Sequence, residues 1–366
     1  MFRCFSILIF CAVLSAAEDV KWIDVSNDTA VSVDGLGWFE ENDGEFIRLP
    51  IARKDDITKL AWRMSLCPAA ARVRFKTDSP TLSVCIDHGM TEEGRLEMWH
   101  MSSVAVSGID LYVGEPDNMS FLFTSNPKQA KGDYVHKYFS GMEKKLREFT
   151  LYLPSYAELK SLKIGISNDA ALLAPIPYKR KAPVVIYGTS ITQGACASRG
   201  SNGYAAQLQR RLNTDVINLG FSGSGCGEPV MAELMTEIDA SLYIVDSVAN
   251  MEAQVMQERY ENFVRILRKN KPDTPVILMT KIHFAYEALP ANIYESRSYY
   301  DKQHKALFRT YDKLKQEGDD NIYLFDSGAL IQAGGDHPTA DGIHLTDVGF
   351  EIIADALVPF AEEILE

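Results

Sequence analysis

The sequence predicts a mixed fold in two parts: an all-β sandwich of jelly-roll type, followed by an α/β unit built on a mostly parallel sheet. Three observations predict it. Residues 21–170 carry short alternating or apolar runs separated by turn residues; residues 184–366 alternate strand and helix patterns; and Pro175, Pro177 and Pro183 punctuate the stretch between them. With 366 residues, the chain is long enough for two domains that each bury a core.

The first element in order is an export signal. Arg3 supplies a positive start, residues 6–14 an apolar segment too short to span a bilayer, and Ser15-Ala16-Ala17 a small-residue cleavage site. The expectation is a signal peptide over residues 1–17, cleavage near Ala17, and a secreted or periplasmic protein. No later apolar run reaches the roughly 20 residues of a spanning helix, so no transmembrane segment is expected. Removing the signal takes Cys4 and Cys11 with it and leaves Cys67, Cys85, Cys196 and Cys226, none with metal-ligand spacing. Export permits a Cys67–Cys85 or a Cys196–Cys226 bridge, but spacing does not fix connectivity, and buried or free thiols are the plainer expectation.

The β-rich domain spans residues 18–174. Its strand patterns fall at residues 45–49, 71–76, 81–86, 96–101, 103–106, 121–123, 148–153 and 162–166, rich in aromatic and β-branched residues and without an amphipathic helix of three turns. Residues 175–183 are the expected linker. In the second domain, residues 184–366, strands are expected at 184–187, 215–219, 242–245, 275–279 and 322–325, with helices at 204–212, 228–238, 252–269, 295–315 and 346–365. The helix at 252–269 places Met256, Tyr260, Phe263, Val264 and Leu267 on one face. Such alternation puts an active site beyond the carboxyl ends of the strands. Charge narrows the partners: 37 Lys and Arg against 50 Asp and Glu give 37 − 50 = −13, which disfavours nucleic acid.

Four segments at those ends carry chemistry. Gly188-Thr189-Ser190-Ile191-Thr192-Gln193-Gly194 puts a hydroxyl directly after the first strand. Asn218-Leu219-Gly220-Phe221-Ser222-Gly223 brings backbone N–H groups close to a ligand. Val245-Asp246-Ser247-Val248-Ala249-Asn250 delivers an amide, and in Asp341-Gly342-Ile343-His344 one carboxylate can orient one imidazole. Together they suit serine acyl transfer. His344 serves as general base to Ser190, Asp341 fixes its tautomer, and the oxyanion meets the N–H of Ser190, the N–H of Gly223 and the amide of Asn250. Gly220 is the rival donor. Asp336, His337, Asp341 and His344 could instead hold a metal ion, and His283 could line the pocket. Trp99, His100, Tyr134 and Tyr138 could form a sugar platform, overhang the site or fill the sandwich core.

On these residues the second domain resembles the SGNH hydrolases, also called the GDSL esterase and lipase family. The resemblance implies a flavodoxin-like three-layer α/β/α domain. The family's serine, glycine, asparagine and Asp-x-x-His fall on Ser190, Gly223, Asn250, and Asp341 with His344. Gly108-Ile109-Asp110-Leu111-Tyr112 is similar to the Gly-x-Asp-Leu-Tyr motif of a β-sandwich domain that precedes the hydrolase domain in a mainly bacterial, secreted subgroup. Two positions depart from the family pattern: Thr189 replaces an aspartate, and Val248-Ala249-Asn250-Met251 replaces Gly-x-Asn-Asp. The implied function is a secreted serine esterase without cofactor or metal, acting on a small acyl ester or an acylated glycan, acetyl esters of carbohydrate first. The alternatives are a lipid or thioester acylhydrolase of the lysophospholipase or platelet-activating-factor acetylhydrolase kind, and a carbohydrate-binding protein with a vestigial hydrolase domain.

Overall fold

The computed structural model describes residues 19–89, 98–126, 133–290 and 296–366. The expected export signal, residues 1–17, lies outside the described residues.

Among the described residues the first half holds ten strands: β1 (Val20–Asp24), β2 (Ser32–Asp34), β3 (Arg72–Thr77), β4 (Leu82–Asp87), β5 (Asp110–Val113), β6 (Ser120–Thr124), β7 (Asp133–Phe139), β8 (Arg147–Tyr152), β9 (Ser161–Ser167) and β10 (Leu172–Leu173). They form two antiparallel sheets, β1-β9-β4-β7 and β10-β3-β8-β5-β6, with β2 also paired to β3. Val73, Phe75, Phe149 and Leu151 from one sheet meet Val84, Ile86, Leu162 and Ile164 from the other, and this apolar layer closes the sandwich. Strand alternation explains the other face of β3. Arg72 and Arg74 point away from the sandwich core and are nonetheless buried, Arg72 against Asp215 and Val216 of the second half and Arg74 against Asp34, Glu148 and the Ile176 carbonyl. Arg72 donates to Asp215 and to Tyr178 Oη, and Arg74 to Glu148 and Asp34.

Three expectations for this half change. Residues 45–49 are coil and bend outside both sheets, and Arg48 turns its side chain into the second half. Residues 98–101 form a turn, and 103–106 lie in the short helix α2 (Ser103–Ser107), where the Ser102 hydroxyl caps by accepting from the Ala105 N–H. Helix α1 (Lys59–Ser65), capped by Thr58 in the same way, has a pattern too short to read as amphipathic.

The second half holds β11 (Arg180–Gly188), β12 (Thr214–Gly220), β13 (Leu242–Asp246), β14 (Val276–Met279) and β15 (Ile322–Phe325). Because β11 starts at Arg180, the end of the expected linker is already strand. All five strands are parallel, in the order β12-β11-β13-β14-β15. Renumbered within this half the order is 2-1-3-4-5, the flavodoxin-like arrangement. Helices α3 (Ser190–Gln193), α4 (Tyr204–Leu212), α5 (Pro229–Glu237), α6 (Ala253–Asn270), α7 (Ser296–Gln316), α8 (Ser327–Leu330) and α9 (Asp347–Leu365) complete it. Side-chain alternation along β11 sends Val185 and Tyr187 to a core shared with α5, α6 and α7, and Val184 and Ile186 to one shared with α4 and α9. The first of these cores also takes Trp38, Leu49, Ile57, Ala61 and Met64 from the sandwich half. Each fully buried Leu or Met contributes roughly 1.5–3 kcal/mol, so the two halves share part of one core.

Candidate active site

β11 ends at Gly188, and the chain turns at once into α3. Thr189 caps that helix: its hydroxyl accepts from the Ile191 N–H at 3.2 Å, while Thr192 Oγ1 accepts from the Thr189 N–H at 3.0 Å. A threonine therefore does the capping here that an aspartate could do, which accounts for the departure at position 189. Thr192 Oγ1 in turn donates to Asp246 Oδ2 at 2.8 Å, as does Tyr204 Oη. Burial pushes the Asp246 carboxyl up to about 6, against the pull of these two hydroxyls. The turn leaves Ser190, the first helical residue, facing the cleft.

Ser190 Oγ lies 2.8 Å from His344 Nε2, and His344 Nδ1 lies 2.7 Å from Asp341 Oδ2. A carboxylate only accepts, so Nδ1 carries the proton and donates to Asp341. Nε2 is then the acceptor for the serine hydroxyl. Asp341 Oδ1 accepts from the N–H groups of Ile343 at 2.9 Å and His344 at 2.8 Å. Although burial opposes its charge, these bonds and the imidazole hold the Asp341 carboxyl below the usual carboxylate range.

The glycine loop after β12 closes the other side. Phe221 N–H donates to Gly188 O at 3.0 Å, and a Cβ on Gly225 would lie 1.9 Å from that same oxygen, so only glycine fits there. Gly223 has φ +68°, a conformation that favours glycine, and its residue surface is exposed. Among the described residues no acceptor takes the N–H of Gly223 or of Ser190. The N–H of Gly220, by contrast, is engaged by Asn218 Oδ1 at 2.8 Å. Of the two rival glycines, only Gly223 keeps a donor free. Asn250 ends a turn of 3-10 helix, Val248–Asn250, after β13. In the orientation that satisfies its amide, Oδ1 accepts from the N–H groups of Ser224 at 3.2 Å and Gly225 at 3.1 Å, leaving the NH2 as a donor for another acceptor.

The sandwich half reaches into this site. Arg48 is wholly buried and makes no carboxylate ion pair among the described residues. Its guanidinium donates to four carbonyls: Met64 (2.8 Å) and Cys67 (2.6 Å) at the end of α1, and Asn218 (2.9 Å) and Gly220 (2.6 Å) at the end of β12. Burial lowers its pKa to about 10, which leaves it charged at neutral pH. Gln193 ties three parts together, donating to Ser155 O at 2.9 Å and accepting from the Ser222 N–H at 2.9 Å. Asp110 Oδ2 accepts from the Ser201 N–H at 2.9 Å, and Tyr112 Oη donates to Ser201 Oγ at 3.1 Å. The Gly108–Tyr112 motif thus fastens the sandwich to the second half rather than tying down a corner of its own.

The remaining sequence candidates divide. The His100 ring lies 5.0 Å from that of His344 and 5.0 Å from that of Trp99, which is 85% exposed, so both overhang the site. Tyr138 donates to Ile109 O inside the sandwich, and Tyr134 meets Ser125 there. His337 contacts Thr339 Oγ1 and His283 O, and His283 pairs with Glu287 and stacks on Tyr300; neither joins Asp341 and His344 as a metal ligand set. Cys67, Cys196 and Cys226 are free thiols, so neither of the two bridges that export would permit is formed. Sequence reasoning missed Arg48, Gln193 and Asp246. Gln193 and Asp246 lie inside the motifs that were quoted, whereas Arg48 has no local signal.

Comparison with known proteins follows the same division of the chain. Residues 181–362 match the GDSL-like lipase/acylhydrolase family, and residues 20–172 match the N-terminus of the SGNH-type esterases. None of the curated proteins matches the chain. Among solved structures, a GDSL-like lipase from Bacteroides ovatus is 27% identical, covers 95% of this chain and 98% of its own, and superposes with a TM-score of 0.84. The salicylyl-acyltransferase SsfX3 of a tetracycline biosynthetic pathway is 19% identical, with 94% and 97% coverage and a TM-score of 0.74. A family two carbohydrate esterase from Clostridium thermocellum, in complex with cellohexaose, is 17% identical, with 81% and 93% coverage and a TM-score of 0.57. The last two likenesses show the fold alone.

Proposed function

The chain belongs, through residues 181–362, to the GDSL-like lipase/acylhydrolase family and is an ester hydrolase; from that premise we propose that it is an exported serine esterase removing short acyl groups, acetyl first, from carbohydrate. The reading rests on the hydrogen bonds of 2.8 Å from Ser190 to His344 and 2.7 Å from His344 to Asp341, set beside the uncommitted N–H groups of Ser190 and Gly223.

In this mechanism His344 Nε2 takes the proton as Ser190 Oγ attacks the ester carbonyl. Negative charge gathers on the carbonyl oxygen, where the N–H groups of Ser190 and Gly223 and the amide of Asn250 receive it. Each such donor contributes about 2.7–4 kcal/mol in the transition state. Collapse expels the alcohol, which takes the proton from His344, and leaves Ser190 acylated. Water then attacks by the same route, giving the carboxylic acid and free Ser190. Asp341, kept ionised by its N–H donors, supports the imidazolium in both halves of the cycle.

The glycan part of the reading is supported by Trp99, a large flat ring exposed beside His100 and His344 and suited to stack on a sugar face. The chain resembles in fold a carbohydrate esterase whose complex holds cellohexaose. No helix among the described residues is long and apolar enough to cross a membrane. Export follows from the pattern of residues 1–17.

Hydrolysis of p-nitrophenyl esters of increasing chain length tests the reading. Acetate is expected to be the best substrate, and Ser190→Ala is expected to lose at least about 10⁴-fold in kcat. Full activity in Ser190→Ala would sink the mechanism, and a preference for long chains would replace the carbohydrate reading with the lipid one.

A further inference from the structure

The cleft contains donors that acyl transfer leaves unused. His100, from the sandwich half, and Cys196, from the loop after α3, both stand against the Asp341–His344 pair. One ligand atom each from His100, Cys196, Asp341 and His344 lies within 4.8 Å of the others; Cys196 is buried and the other three are half-buried. Both ring nitrogens of His100 are shut off from solvent and have no hydrogen-bond partner among the described residues. An orphaned polar group of this kind costs about 1–3 kcal/mol. The Cys196 thiol makes a long contact to His100 O at 3.5 Å and forms no disulfide.

Two imidazoles, a thiol and a carboxylate are the donor set of a four-coordinate zinc site. Zinc–nitrogen and zinc–sulfur bonds of about 2.0–2.3 Å put tetrahedral donors roughly 3.3–3.8 Å apart, so side-chain shifts of about 1 Å close the set. Magnesium and calcium, which favour six or more oxygens, find no such shell here. We propose that this cleft binds a soft divalent cation, zinc by its donor set, as a reversible inhibitor of the enzyme. Both nitrogens of His344 are already engaged, Nε2 with Ser190 and Nδ1 with Asp341. A cation that takes either one must break one of these two bonds. Inhibition rests on the reading of His344 as general base, whereas binding does not.

The test titrates zinc chloride into the full chain, followed by calorimetry and by p-nitrophenyl acetate hydrolysis. One zinc per chain is expected, with a dissociation constant of about 1 μM or below. At ten times that constant, hydrolysis should fall about tenfold by mass action and return with excess EDTA. Cys196→Ala removes a ligand and is expected to weaken zinc by at least about tenfold while leaving hydrolysis in EDTA unchanged. His100→Phe keeps the ring, removes both nitrogens and is expected to weaken binding likewise. Zinc uptake in a protein that hydrolyses no ester would keep the site and overturn the esterase reading. Hydrolysis without zinc uptake, uptake untouched by both substitutions, or equal inhibition by magnesium would overturn the site.

Discussion

The two halves of the chain serve the same loops by different means. The α/β half holds the groups proposed to react on strand ends and helix caps: Ser190 on a capped turn after β11, Gly223 after β12, Asn250 after β13, and Asp341 with His344 ahead of α9. The sandwich half holds those loops from outside, through side chains that donate to or accept from backbone: Arg48 on Asn218 and Gly220, and Asp110 on Ser201. Chemistry written into short local motifs thus depends on clamps that have no motif. The difference can be broken or sharpened by cutting the clamps and a local support in turn.

The largest effect is expected at Arg48. Arg48→Met removes the guanidinium that donates to four buried carbonyls and bridges α1 to β12, and urea denaturation should show a loss of about 3–5 kcal/mol. Lysine cannot restore it, because a single ammonium does not reproduce the planar fork that spans α1 and β12. A loss under about 1 kcal/mol would mean that the sandwich half does not clamp the glycine loop.

Asp246 tests the support inside the α/β half. Burial pushes its carboxyl up to about 6 in the folded chain, above the ordinary aspartate range near 3.8. A raised carboxylate binds its proton more tightly when folded, so its contribution is best at low pH and is lost as pH rises from about 4 through about 6. A rise of that size corresponds to a cost of about 3 kcal/mol at neutral pH. Asp246→Asn carries no such charge. Its stability relative to the parent should therefore improve by up to about 3 kcal/mol between pH 4 and pH 7 in urea titrations; a gap independent of pH would refute the shift.

The smallest effect is expected at Asp110. Burial raises this carboxyl, while the Ser201 N–H and hydroxyl pull it back. Asp110→Ala orphans the Ser201 N–H at the seam and should cost about 1–3 kcal/mol, with kcat on p-nitrophenyl acetate reduced less than tenfold. A loss of activity beyond that, at unchanged stability, would move Asp110 from seam to site.

What the sequence made legible follows the same line. The parallel half was readable because period, cap and glycine are local signals: the strand at Ile322–Phe325 and the helix at Tyr204–Leu212 fall where their patterns put them. So do the four segments that meet in the cleft. The sandwich half was readable as β, yet residues 45–49 left the sheets and 103–106 coiled, because their surroundings come from elsewhere in the chain. Alternation in β3 was visible, but whether Arg72 faced water or protein depended on a partner surface some 140 residues away, at Asp215 and Val216. Arg48 is the extreme case, since nothing near it in sequence distinguishes it from a surface arginine.

The shared core has a consequence for inheritance. Trp38, Leu49, Ile57, Ala61 and Met64 pack with Ile217, Phe221 and Met235, so an ancestral exchange of accessory domains cut at the linker would have left this face of the α/β half bare. The stretch from Trp38 to Met64 must travel with whichever enzyme it covers. The seam at which such a protein can be recombined is therefore set by packing, well upstream of the proline-rich stretch that looks like the join.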